Sequence, residues 1–84
     1  MDKKIIIFGC KYTTKYIIDN IPGIQNIITI SPDKGKKFEV ADYCDLTKHT
    51  NIPLYQSTKY SLKSQKDIEH INNLNADIAI VVGW

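Results

Sequence analysis

The sequence contains no arginine; all eleven basic residues are lysine. Without the planar guanidinium fork that reads phosphates and base edges bidentately, the chain is ill suited to sequence-specific nucleic-acid recognition. Acidic residues nearly balance the lysines, and the net charge of +2 does not by itself point to a nucleic-acid or membrane partner. Cysteine is almost as scarce. Cys10 and Cys44 stand far apart, with no His or Cys near either at metal-ligand spacing, so a zinc site is not expected. Two reduced thiols are the simplest reading, a disulfide or reactive thiol the alternative. Long hydrophobic runs are missing too: the segment after Met1 opens on Asp2, Lys3 and Lys4 and reaches Gly9 after four apolar residues, too few for a signal-peptide core or a membrane span. A soluble, cytoplasmic protein is the expectation.

At 84 residues the chain makes one small domain at most, expected to bury roughly 60–65% of the surface its unfolded state exposes. What is present is apolar runs alternating with helical periodicity. "KKIIIFG" is β-branched and aromatic with no polar alternation, which predicts a strand covered on both faces, as in parallel sheets. Thr13 or Thr14 is then placed to cap a helix with Tyr16, Ile17, Ile18 and Ile21 on one side, ended by Pro22-Gly23. "IQNIITI" (residues 24–30) follows as a second strand, completing a right-handed βαβ unit. "SPDKGKK" (31–37) reads as a polar turn, and "VADYCDL" (40–46) as a short helix or an irregular hydrophobic segment. "NIPLYQ" (51–56) predicts a short strand whose Pro53 argues for an edge position or for a place near its start. A helix capped at Ser64 follows, with Ile68, Ile71 and Leu74 at helical spacing and Asn75 as its stop. "ADIAIVVGW" then gives a last strand, with Asp77 solvated at its start. Because that strand has no polar face and no edge-protecting Lys or Pro, a central place in the sheet is expected. The reading is an α/β, partial Rossmann-like open parallel sheet of about four strands, with residues 1–84 forming the amino-terminal portion of a single domain.

Ligands of such sheets sit beyond the carboxyl ends of the strands, so the turns after each strand are the informative segments. After the first strand, Gly9 is the one glycine where a dinucleotide turn needs three, and Lys11 and Tyr12 crowd the position a pyrophosphate would take. The turn reads either as an anion site at the following helix start, beside Lys11, or as a purely structural turn. "DKGKK" fails as a phosphate loop, having Lys37 where a Ser or Thr should follow Lys36. It reads as a solvated basic turn or as a contact for an anionic ligand such as a nucleotide diphosphate. His49 and His70 lack partners that would make a catalytic dyad, and Asp42, Asp45 and Asp77 show no paired-carboxylate spacing.

The succession "KKIIIFG", "YIIDNI", "IITISPDKGKK", "VADYCDL", "NIPLYQSTKYSL" and "NADIAIVVGW" resembles the amino-terminal half of the formyltransferase fold. That family includes the methionyl-tRNA, glycinamide ribonucleotide and nucleotide-sugar N-formyltransferases. The most specific pieces are "NIPLYQ" before a helix and "ADIAIVVGW". "SPDKGKK" with "VADYCDL" is most similar to the amino-sugar group. The resemblance implies transfer of a formyl group from 10-formyltetrahydrofolate to a small-molecule amine, with a nucleotide-linked amino sugar as the acceptor. It implies that Gly83 and Trp84 begin the folate-lining loop. It further implies that Gly9, Cys10, Lys11, Tyr12 and Thr13 form the turn facing the amine substrate. The sequence departs from the family's phosphate turn and its "GTPEF" turn, which puts the ribonucleotide and tRNA substrates in doubt. The family's "N-x-H" motif and later catalytic Asp have no counterpart in these residues, so no catalytic residue carries over, and the segment alone is expected to be inactive. The competing expectation is a non-catalytic binding or assembly module that dimerises through its terminal strand. A third is a different nucleotide- or phosphosugar-binding α/β domain that mimics the pattern.

Overall fold

The computed structural model describes residues 3–37, 43–59, 61–82 and 84, with the side chains of 35–37 outside the description. Its elements run β1 (Ile5–Phe8), α1 (Tyr12–Asn20), β2 (Ile24–Ile30), α2 (Pro32–Lys37), a 3-10 turn (Leu46–Lys48), β3 (Leu54–Ser57), α3 (Gln65–Leu74) and β4 (Ile78–Val81). All three strand pairings are parallel, in the order β3-β2-β1-β4. The fold is therefore α/β with a four-stranded, all-parallel open sheet.

Alternation of side chains along the strands builds two cores from one sheet. Ile7 and Ile27 point to one face, joined there by Ile24 because the β1–β2 register slips between Ile5 and Ile6, and Ile17 and Ile18 of α1 meet them together with Cys44 and Leu46. Ile6 and Ile28 point to the other, where Leu74 and Ile71 of α3 pack with Phe8, Tyr55, Leu62 and Trp84. The prediction that the first strand is covered on both faces holds, since Ile6 and Ile7 are both buried. α3 starts as expected: the Ser64 hydroxyl accepts the Asp67 N–H at 3.1 Å. It also stops as expected, with Asn75 in the left-handed conformation at φ 49°.

Of 40–46, residues 40–42 lie outside the described residues; the described remainder is irregular, one of the two readings, with Tyr43 in an antiparallel bridge to Lys11 and Leu46 beginning the 3-10 turn. Four expectations need correction. Residues 32–37 form a helical turn and a half, opened by Pro32, whose fixed φ suits a first helical position. Neither Thr13 nor Thr14 takes the cap position of α1: Lys11 does, and Thr14, in the first turn, reaches back to accept the Lys11 N–H. Tyr16 is 68% exposed and Ile21 40%, because the sheet-facing stripe of this nine-residue helix is filled by Thr14, Ile17 and Ile18. Finally, β4 is an edge strand. α3 carries the chain from β3 across β2 and β1, and β4 pairs with β1 alone, leaving Val81 66% and Ile78 41% exposed. The third strand does occupy an edge, beginning just after Pro53, whose carbonyl accepts the Ile27 N–H at 3.0 Å.

Candidate functional site

With every strand parallel, the turns that follow them gather at one edge of the sheet. The chain winds outward from β1 to β2 to β3, then returns to the far side of β1, so β1 and β4 flank the point where the winding direction reverses. In open α/β sheets ligands bind at this switch point.

The seam between β1 and β4 is tightly packed. Gly9 leaves β1 with its N–H on the Ile28 carbonyl at 3.0 Å, and Val82 donates to the Phe8 carbonyl at 2.9 Å. A Cβ on Gly9 would lie 2.1 Å from the Thr14 Oγ1 and 2.5 Å from the Val82 carbonyl oxygen, so only glycine fits. The vacated space is used by Thr14, fully buried, whose hydroxyl donates to the Val82 carbonyl at 3.1 Å and accepts the Lys11 N–H at 3.5 Å. One threonine thus joins β1, α1 and β4. Trp84 is half-buried, edge-on to Phe8 with ring centroids 6.2 Å apart.

The residues singled out in the β1 turn therefore divide. Gly9 is occupied with packing. Cys10 is fully buried, with its carbonyl accepting the Cys44 N–H at 2.8 Å. Burial pushes the Cys10 thiol up, against the opposing influence of Lys11, and likewise the Cys44 thiol, against that of Lys15. Both are held as poorly nucleophilic thiols. Lys11 is half-buried, and Tyr12 and Thr13 stand exposed at the open end of α1. Gly83 lies outside the described residues, so Trp84 is the placed member of that pair.

Where α3 meets β3 the structure holds a group that the sequence reading did not single out. Asp67 is 3% exposed. Its carboxylate accepts the Tyr55 hydroxyl at 2.5 Å and the Ser57 hydroxyl at 2.8 Å. Burial pushes its pKa up, but hydrogen bonds from Tyr55, Ser57 and Ser64 and the nearby charge of Lys66 outweigh this, holding Asp67 below the usual carboxylate range. Tyr55 is affected in reverse: burial first, then the Asp67 hydrogen bond and charge, push its hydroxyl up to about 12. His70 is half-buried and stacks on the Tyr55 ring, with ring centroids 4.2 Å apart. Only part of this is legible in the sequence: Tyr55 and Ser57 are two apart on a strand and so share a face, but that Asp67 meets them depends on how α3 packs against β3. His49 is exposed beside the 3-10 turn, and Asp77 is exposed with one carboxylate oxygen on the Lys4 N–H at 2.7 Å.

Among the described residues no group of three or more His, Cys, Asp or Glu side chains comes together as a metal site would require, and no pocket is enclosed. No helix among them is long and apolar enough to cross a membrane. No family model, no curated protein and no solved structure matches the chain.

Proposed function

We propose that the chain is the amino-terminal portion of an N-formyltransferase-like domain, transferring a formyl group from 10-formyltetrahydrofolate to an amine on a small molecule such as a nucleotide-linked amino sugar. The reaction is attack of the amine on the formyl carbon, with the bond to the folate nitrogen breaking as the amide forms. The support is the strand order β3-β2-β1-β4 with α1 and α3 on opposite faces, which brings the β1 turn and Trp84 side by side at the switch point. In this reading Lys11, Tyr12 and Thr13 face the amine substrate, while Gly9 and Cys10 set the path of the turn. Trp84 borders the folate, together with Gly83 on the strength of the family resemblance. No catalytic residue is assigned within these residues.

Trp84 is the single tryptophan and so a built-in reporter. Titrating the chain with a stable formyl-folate analogue is expected to change its fluorescence saturably, with no formyl transfer to any amine. An unchanged spectrum at millimolar analogue would remove Trp84 from a folate site, and turnover would overturn the view that catalysis needs further residues.

A second reading, an assembly module pairing through β4, is favoured by one observation: this edge strand exposes Val81 and Ile78 without the charges or proline that normally blunt an edge. Sedimentation of the chain decides it. A monomer at all concentrations is incompatible with that reading.

A further inference from the structure

Among the described residues β4 pairs with β1 alone, and that pairing fixes which way its backbone groups point. The Ile78 N–H donates to the Lys4 carbonyl at 3.1 Å and the Val82 N–H to the Phe8 carbonyl at 2.9 Å. A parallel ladder engages every second residue of a strand, so Ile80 is bound to β1 in the same way. The N–H and C=O groups of Ala79 and Val81 therefore point outward, to the open edge. Such a row of outward groups is a template for another strand.

The helices beside that edge turn neutral flanks to it. On α1, Lys15 and Asp19 are paired at 2.7 Å on the flank that faces Cys44, whose thiol feels both charges. Tyr16 and Asn20 lie on the other flank, toward β4, and both are exposed. On α3, His70 stacks on Tyr55 of β3, so the opposite flank, with exposed Ile68 and Asn72, is turned toward β1 and β4. From Ile78 to Val82 the strand carries no charge. Asp77, just before it, is held on the Lys4 N–H at 2.7 Å. A neutral, partly apolar surface of this kind offers nothing to a charged partner but meets its own copy without like-charge repulsion, and a net charge of +2 adds little repulsion between whole chains.

We infer that two copies of the chain pair through β4, antiparallel, about a two-fold axis beside Ile80. In that register Ala79 of one copy lies opposite Val81 of the other, and each such pair exchanges both hydrogen bonds, so the outward groups satisfy one another. An axis beside Ala79 instead sets Val81 against Asp77, whose N–H already lies on the Lys4 carbonyl at 2.8 Å. Side chains follow the same alternation. Ile78 meets Val82 of the other copy on the face that α1 covers, and Val81 meets Ala79 on the face that α3 covers. Two four-stranded sheets become one. This rests on the assembly reading given above and uses no formyl-transfer chemistry.

The test combines sedimentation over a wide concentration range with amide hydrogen exchange and isotope-filtered NMR on a half-labelled dimer. A dimer is expected in which the Ala79 and Val81 N–H groups gain protection on association and Ile78 of one copy contacts Val82 of the other. Ala79→Pro removes an outward N–H without touching the β1 ladder, and Val81→Lys puts a charge on the exposed edge; each should weaken the dimer roughly tenfold or more. Far-UV circular dichroism confirms that both variants are folded. A monomer at every concentration, or a dimer that neither variant weakens, overturns this pairing and the assembly reading together. A dimer weakened by Val81→Lys but showing contacts between the two Ile78 residues in place of Ile78 with Val82 overturns the antiparallel arrangement and leaves assembly through β4 standing. Protection of the Ala79 and Val81 amides already in the monomer overturns the inference, because another part of the same chain then covers the edge.

Discussion

Between β1 and β4 the exit edge of the sheet is joined by shape, a missing side chain at Gly9 admitting the Thr14 hydroxyl to the Val82 carbonyl. Between β3 and α3 it is joined by charge, a buried carboxylate gathering hydroxyls from Tyr55 and Ser57. The first joint is intolerant of volume and indifferent to acid; the second tolerates a similar shape and depends on ionisation. Close packing leaves a glycine no substitute, whereas a buried carboxylate is worth keeping only while its partners satisfy it.

The largest effect is expected at the shape-built joint. Gly9→Ala places a methyl group against backbone and a buried threonine, and should lower stability by about 3 kcal/mol in urea unfolding; near-parental stability would mean that α1 can back away. At the charged joint, Asp67→Ala strands two hydroxyls and should cost about 2 kcal/mol, with Asp67→Asn milder because one acceptor survives. Acid should discriminate further. The folded Asp67 pKa is lowered, so its contribution is complete above the unfolded value of about 3.9 and is lost as pH falls through the folded value. A stability–pH slope below about pH 4 that persists in Asp67→Asn would assign it to other carboxylates. Tyr55, raised to about 12, should contribute fully below its unfolded value of about 10 and lose that contribution as pH rises through the folded one. Ultraviolet titration of the phenolate in the parent and in Tyr55→Phe tests this.

Smaller changes sharpen the contrast. Thr14→Val keeps the volume of the β1–β4 joint but removes its hydrogen bonds, and a loss of about 1 kcal/mol would show that shape dominates there. Thr29, buried in β2 with its hydroxyl unpartnered, is a control that belongs to neither joint. Thr29→Val should stabilise by up to about 1 kcal/mol, since burying a hydroxyl without a partner is a net cost. A destabilised Thr29→Val would mean that the hydroxyl acquires a partner in solution.

Much of this architecture could be read from the order of residues. "KKIIIFG" announced a doubly covered strand because only a strand with two apolar faces lacks polar alternation, and Ser64 and Asn75 marked both ends of α3 through local backbone chemistry. Local reading failed where two distant segments compete for one space. Nothing near Thr14 in the chain says that it reaches Val82, so a capping role looked sufficient; nothing near Asp67 says that Tyr55 and Ser57 will lie beneath it.

The apolar runs, the turn residues and the helical spacing, all local quantities, were enough to determine an alternating α/β chain with a parallel sheet. Strand order is not local. An apolar strand such as "IAIVV" is compatible with a centre or an edge, and its place beside β1 alone was decided by where α3 could pack its Leu74 and Ile71 stripe against Ile6 and Ile28. Tertiary packing also decided that the space left by Gly9 would be filled by the Thr14 side chain reaching Val82, because proximity across a sheet depends on pairing and not on distance along the chain.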